Sequence, residues 1–298
     1  MQRPQELSQI KLPKSSSHKG QNGRLLIIGG SKLFHAASLW SLKVASRIVD
    51  LVHYASVPEN NRLVQDLKEE FRDGIVVPRT DIESYIKEDD AILIGPGMVR
   101  TEISNIKYQI ANILDIEKME DEGLQTAALT NYLLQKHAHK QWVIDAGSLQ
   151  TMNVDLIPKN AILTPHTREF EYLLLRVKGE GERDKYQGLT LREQVQLFAR
   201  EFQCILLVKG EVDIISDGER LQELTGGNPG MTKGGTGDVL AGLVAALACK
   251  NDPWAATVSA SFINKQAGDD LYKTVGVYFN ASDLADAIPK VMKQLLLK

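Results

Sequence analysis

Only two cysteines occur in the chain, Cys204 and Cys249, and both fall in apolar surroundings. Two isolated thiols support neither a disulfide framework nor a cysteine-rich metal site, so buried thiols are expected. No apolar run reaches the roughly 18–20 residues that cross a bilayer. The start, Met1-Gln2-Arg3-Pro4-Gln5-Glu6-Leu7, lacks the apolar stretch of a signal peptide, and a cytoplasmic protein is expected. Basic charge is not in excess: the formal net charge of -3 gives no reason to expect nucleic acid or a membrane surface as partner. Internal repeats and low-complexity tracts are missing too. What remains is ordinary for a soluble globular chain with a sizeable core, 43% hydrophobic and 24% charged over 298 residues.

Glycine, by contrast, is concentrated in one place. The run Gly226-Gly227-Asn228-Pro229-Gly230-Met231-Thr232-Lys233-Gly234-Gly235-Thr236-Gly237-Asp238 is too glycine-dense for a helix or strand. It lacks the Gly-Lys-Ser/Thr ending of a Walker A loop and the Gly-x-Gly-x-x-Gly spacing of a dinucleotide fold. The residues after Asp238, Val239 to Leu247, are small and apolar, so a helix is expected to begin near Gly237 or Asp238. Gly234, Gly235 and Gly237 would then present backbone N–H groups to an anion at a positive helix end. A side chain at Gly235 is expected to block that approach and leave the fold intact. Asp238 would repel phosphate unless it acts on the group that attacks phosphorus, and the helix dipole is expected to keep it ionised as a proton acceptor. An aspartate capping the helix after a glycine loop is the plainer alternative.

Short apolar runs ending in turn residues recur along the chain. Arg24–Ile28 stops at Gly29-Gly30-Ser31, Ala91–Ile94 at Gly95-Pro96-Gly97, and Trp142–Ile144 at Asp145-Ala146-Gly147. Ala161–Leu163 stops at Thr164-Pro165-His166, and Cys204–Val208 at Lys209-Gly210. Such runs suit strands buried on both faces. Helical stretches separate most of them, with Ala36–Val52, Leu124–His137 and Leu191–Phe202 as examples. The alternation predicts an α/β fold, a mostly parallel sheet with helices on both faces. It runs from about residue 24 to the end without a linker, so residues 1–298 are taken as one domain, with 1–20 a polar lead-in carrying at most one short helix. The charge-rich pieces Lys178–Lys185 and Asp115–Glu122 are expected to be solvated. Ligands of open α/β sheets bind outside the carboxyl ends of the strands. The turn residues above, with Glu169, all fall at that edge, and a cleft explains them better than turn chemistry alone.

The string Asn228-x-Gly230-Met231-x-Lys233-Gly234-Gly235-Thr236-Gly237-Asp238-Val239-Leu240-Ala241-Gly242 resembles the anion-hole motif of the ribokinase-like superfamily. In its longer form it is similar to the ADP- or ATP-dependent NAD(P)H-hydrate dehydratases, over roughly residues 12–295. The resemblance implies a ribokinase-like three-layer sandwich with Asp238 as catalytic base. It places nucleotide on Lys209, Gly210, Glu211, Val212 and Asp213 and on Gly234, Gly235, Thr236 and Gly237. It places substrate on Ala37, Gly97, His166 and Asp238, and Mg²⁺, through water, near Glu169 in the segment Thr164-Pro165-His166-Thr167-Arg168-Glu169. From the residues alone, Lys209–Asp213 reads equally well as a β-turn, a lone His166 as structural, and Asp145 as a cap or structural group. The match is weakest at the front. His18-Lys19-Gly20 is retained, but glycines common in the family are missing at His35-Ala36-Ala37 and at Arg47-Ile48-Val49-Asp50, which bears on substrate identity. The epimerase domain often fused to the family is not expected before residue 12.

The implied activity is that of a hydro-lyase. ADP or ATP would phosphorylate the ring hydroxyl of hydrated NADH or NADPH, and phosphate would then be eliminated to restore NAD(P)H. Two other readings share the motif: a kinase for a vitamin precursor or sugar alcohol, and a nucleotide-binding regulator without catalysis. The retained Asp238 and Glu169 argue against the regulator, since binding alone needs neither. Family members are commonly homo-oligomers, so a symmetric assembly is expected.

Overall fold

Each of the short apolar runs becomes a strand whose alternate residues feed two separate cores. A computed structural model describes residues 2–101, 112–177, 181 and 183–297. The strands are β1 Arg24–Ile28, β2 Leu51–Ala55, β3 Ile75–Val76, β4 Ala91–Ile94, β5 Gln141–Ile144, β6 Ile162–Leu163, β7 Ile205–Val208, β8 Asp213–Ser216 and β9 Leu221–Leu224. They form one sheet in the order β3-β2-β1-β4-β5-β6-β7-β8-β9. Pairs up to β7 are parallel, and β8 and β9 close the edge as an antiparallel hairpin. Side chains alternate across a strand. Leu25, Ile27, Leu93 and Val143 therefore enter one core, while Leu26, Ile28, Ile92, Ile94, Trp142 and Ile144 enter the other.

Eleven helices flank the sheet among the described residues: α1 Ala36–Ala45, α2 Pro58–Asp66, α3 Ile82–Glu88, α4 Ile113–Glu117, α5 Glu122–Lys136, α6 Ala146–Thr151, α7 Thr167–Leu175, α8 Leu191–Phe202, α9 Thr236–Ala248, α10 Pro253–Val275 and α11 Ala281–Leu296. Residues of α1, α2 and α9–α11 join the first core and those of α3–α8 the second. The result is the three-layer arrangement expected. α9 is apolar almost all round because neighbours cover it on several sides. At Gly242 a β-carbon would lie 2.6 Å from the Cα of Ser41, so α1 and α9 meet nearly backbone to backbone. That close approach fixes where the first turn of α9 points.

Several sequence expectations shift. The helix foreseen over Ala36–Val52 ends at Ala45, and Leu51 already belongs to β2. The intervening turn is held by the Asp50 carboxylate, which accepts the amides of Gly20 and Asn22 at 2.7 and 3.0 Å. His18-Lys19-Gly20 thus lies ahead of β1, at the sheet edge opposite the cleft. The lead-in is not wholly polar: the 3₁₀ helix Gln5–Gln9 buries Leu7 and Glu6, and Glu6 accepts the indole N–H of Trp254 at 3.0 Å. In the charge-rich stretch from Asp115, Ile116 of α4 is fully buried. Residues 178–180 and 182 of the other charged stretch lie outside the described residues. Both cysteines are free and buried, and burial pushes the Cys204 thiol up to about 12 and the Cys249 thiol upward as well. Among the described residues, no helix is long and apolar enough to cross a membrane.

Candidate functional site

The parallel strands end along one edge, and the turn residues singled out in the sequence collect there. At its centre stands the first turn of α9. The helix starts at Thr236, a residue or two earlier than expected, because Gly235 takes φ +97° at the N-cap and turns the chain into it. The amides of Gly237 and Asp238 are first-turn donors with no partner inside the helix. A β-carbon on Gly237 would meet only Lys209 Nζ, at 3.4 Å, and one on Gly234 would meet nothing within 4 Å. That open space beside a helix N-terminus and an ammonium suits an anion.

Gly235 serves a different purpose from the one expected. A β-carbon there would fall 2.3 Å from the Trp40 ring and 2.7 Å from Ala281 Cβ. Its glycine is required by packing against α1 and α11 and by its positive φ, so a side chain would disturb the fold itself. Gly235→Val should therefore lower the melting temperature, at a cost of about 1–3 kcal/mol or more from overpacking. Gly237→Val should instead melt near wild type yet weaken ADP or ATP binding by more than about tenfold, read by calorimetry. Equal loss of stability in both variants would place the anion elsewhere.

Lys209 links the strand ends. Its amide donates to Pro165 O at 2.8 Å, and its ammonium donates to Asp145 Oδ1 at 2.9 Å. Asp145 is buried at the end of β5 and also accepts the Thr164 hydroxyl at 2.8 Å. It makes no side-chain cap to α6, so capping drops out of the readings the sequence offered, and Asp145 is the buried anionic partner of Lys209. Burial works against the Lys209 charge, but the carboxylates of Asp145, Glu169 and Asp238 outweigh it and hold the ammonium above its ordinary value.

Asp238 departs from expectation. Burial, then the charge of Asp145, raise its carboxyl to about 7, with Lys209 pulling the other way. Burial and the neighbouring carboxylates thus act against the full ionisation expected from the helix end alone. It is half-buried in the first turn of α9, and its carbonyl accepts the Ser41 hydroxyl of α1 at 2.7 Å.

His166 and Glu169 form a capping box at the start of α7. The His166 amide donates to Glu169 Oε2 at 2.9 Å, and the Glu169 amide donates to His166 Nδ1 at 3.2 Å. A neutral ring accepting at Nδ1 carries its proton on Nε2. Glu169 is buried, and its Oε1 accepts Gln150 Nε2 at 2.8 Å. Among the described residues, no group of three or more His, Cys, Asp or Glu is placed to hold a metal directly.

A cavity of about 770 Å³ runs from this centre along the β7–β8 turn. Its lining includes His166, Lys209, Gly210, Glu211, Asp213, Thr236 and Gly237, all expected, and also Asn264 and Lys265 of α10, which were not. Val212, Gly234, Gly235 and Asp238 are not among its lining. Asn264 is 4% exposed, and its Oδ1 has no hydrogen-bond partner. At the end of β4, Gly97 packs on Ala37: a β-carbon at Gly97 would lie 3.0 Å from Ala37 Cβ and 2.8 Å from Phe34 O. Ala37 is one helical turn before Ser41, whose hydroxyl meets the Asp238 carbonyl. A second cavity of about 450 Å³, lined by Gln141, Asn160, Arg200 and Arg220 among others, holds none of the expected residues.

Comparison with known proteins bears on the family and the fold. The family model described as NAD(P)H-hydrate dehydratase matches residues 25–290. The chain is 31% identical over 294 residues to the ADP-dependent (S)-NAD(P)H-hydrate dehydratase of Cenarchaeum symbiosum, covering 94% of this chain and 92% of that one. It is 34% identical over 300 residues to the bifunctional NAD(P)H-hydrate repair enzyme of Methanocaldococcus jannaschii, covering 97% of this chain. It spans only 52% of that bifunctional relative's length. Among solved structures, the fold is similar to a ribokinase-like superfamily protein of Enterococcus faecalis, with TM-score 0.79, 22% identity and coverage of 98% and 95% of the two chains. It is also similar to the ADP/ATP-dependent NAD(P)H-hydrate dehydratase of Bacillus subtilis co-crystallised with ATP and Mg²⁺, with TM-score 0.72, 22% identity and coverage of 97% and 96%. At such identities the structural likeness speaks to fold alone.

Proposed function

The chain belongs to the NAD(P)H-hydrate dehydratase family, and from that premise we propose that it is a nucleotide-dependent hydro-lyase returning hydrated NADH or NADPH to the reduced cofactor. The observation that carries the reading is the placement of Asp238: a carboxyl in the first turn of α9, beside the open cradle at Gly237 and within the field of the Lys209 ammonium. A group at that position has a use as a base and none as a phosphate ligand.

In the proposed reaction, Asp238 takes the proton of the ring hydroxyl as its oxygen attacks the terminal phosphorus of ADP or ATP. An O–P bond forms, and the bond from phosphorus to the rest of the nucleotide breaks. The amides of Gly237 and Asp238, with Lys209, face the charge that develops on the transferring group. The resulting phosphate ester is a better leaving group than hydroxide. The ring nitrogen's lone pair expels it, and the departing phosphate takes a proton from the adjacent carbon as the double bond re-forms. The Nε2–H of His166 and the Ala37–Gly97 surface are assigned to the substrate.

Mg²⁺ is expected to accompany the nucleotide and neutralise phosphate charge. Asp145, Glu169 and Asp238 lie close enough for the first two to raise the third, yet they form no three-donor cage. That donor set fits an ion held through water and phosphate oxygens, the habit of Mg²⁺, with Glu169 contributing through water.

The test is recovery of NADH fluorescence from hydrated NADH with ADP or ATP and Mg²⁺. Recovery that requires a nucleotide and releases one phosphate for each NADH formed is the expected result. A stable phosphorylated product without NADH would make the protein a kinase, and no reaction with either nucleotide would overturn the proposal.

A further inference from the structure

Lys265 lies in the middle of a long helix, where a lysine usually keeps its charge in water, yet it is 4% exposed. Its ammonium donates to three carbonyl oxygens, Gly210 at 3.0 Å, Glu211 at 3.1 Å and Gly226 at 3.1 Å. It also lies 3.2 Å from Asp213 Oδ1. An ammonium has three protons, so the three carbonyls account for its donor capacity and leave none for a phosphate. Those carbonyls come from two different walls of the large cavity. Gly210 and Glu211 belong to the β7–β8 turn, and Gly226 follows β9.

Asp213 completes the arrangement. Its Oδ1 accepts the Gly210 amide at 2.9 Å, and its Oδ2 accepts the Ser261 hydroxyl, one turn earlier on α10, at 2.6 Å. The second wall is tied to the same helix further along, where Asn228 Nδ2 donates to Gly268 O at 2.9 Å. A buried ammonium is tolerated only while its partners stay in place. Lys265 and the two walls therefore hold one another in position.

We propose that Lys265 is a positioning residue for the nucleotide, clamping the two walls of the cavity and so setting the width of the slot that takes the nucleoside end of ADP or ATP. The phosphate end is at Gly237 and Lys209, and the clamp lies along the cavity from it. This inference rests on the nucleotide reading of the cavity. Lys265→Met keeps the length and bulk of the side chain and removes its donors.

Titration calorimetry on the full chain tests the clamp with two probes, ADP and inorganic pyrophosphate. In Lys265→Met the Kd for ADP should rise at least about tenfold, because the slot is no longer preorganised, while pyrophosphate affinity changes by less than about twofold. The KM for hydrated NADH at saturating ADP should stay at its wild-type value. A folded Lys265→Met with unchanged ADP affinity, or with both probes weakened equally, overturns the clamp while leaving the nucleotide site standing. If Lys265→Met does not fold, Ser261→Ala, which loosens Asp213 alone, should raise the ADP Kd by about threefold under the same reasoning; unchanged affinity there overturns the clamp too. Wild-type protein that binds neither ADP nor ATP overturns the nucleotide reading and the clamp together.

Discussion

Asp238→Asn should lower turnover by at least about 10²–10⁴-fold, the usual contribution of a positioned general base, while ADP or ATP still binds. Asparagine keeps the shape and the hydrogen-bonding capacity of the side chain and loses its basicity. Binding should tighten, because a negative charge beside the phosphates has gone. The carboxyl at about 7 adds a second signature. The wild-type rate should climb as pH rises through 7 and the base form fills, and that limb should be absent in the variant. Stability moves the opposite way. A carboxyl whose folded value is raised above its unfolded one favours the fold below the unfolded value, and that contribution is lost as pH rises through 7. Asp238→Asn should therefore melt higher than wild type at pH 8, and the gain should shrink towards pH 4. Near-normal turnover with lost nucleotide binding would make Asp238 a structural cap and remove the base from the mechanism.

What could be read from the sequence was what depends on near neighbours. Glycine density from Gly226 to Gly237 followed by a small apolar stretch announces a loop entering a helix, whatever lies around it. Apolar runs ending in Gly, Asp or Pro announce parallel strands, and the strand ends then bring Gly97, Asp145, His166 and Lys209 to one edge. The errors share a physical cause, dependence on residues distant in sequence. The Asp238 carboxyl was expected to follow its own helix dipole, yet burial and the charge of Asp145 decide it. Gly235 was assigned to the anion because of its company, but Trp40 and Ala281 are what exclude a side chain there. The expected helix Ala36–Val52 overruns the first two residues of β2 because Leu51–Ala55 follows α1 after only a short turn, and its parallel pairing with β1 leaves no local mark. Lys265 went unnoticed because nothing in α10 itself shows that three carbonyls from distant loops converge on it.

Lys209→Met should cost about 10²–10³-fold in kcat/KM, the range for removing one preorganised donor from charge developing in a transition state. The reasoning starts from the ion pair. Lys209 Nζ holds Asp145 at 2.9 Å and is one of the groups that draws the Asp238 carboxyl down. Without the ammonium, Asp145 and Asp238 face each other unshielded, and the Asp238 carboxyl must rise above 7. The rate limb should then move to higher pH, so part of the loss at pH 7 is recovered at pH 9. Asp145→Asn removes the other charge and should move the limb the opposite way, below 7, because the second-largest influence raising Asp238 has gone. Opposite displacements from two partners of one ion pair cannot come from a general loosening of the fold, which would shift both variants alike. If both limbs stay where the wild type has them, the group titrating in the rate is not Asp238.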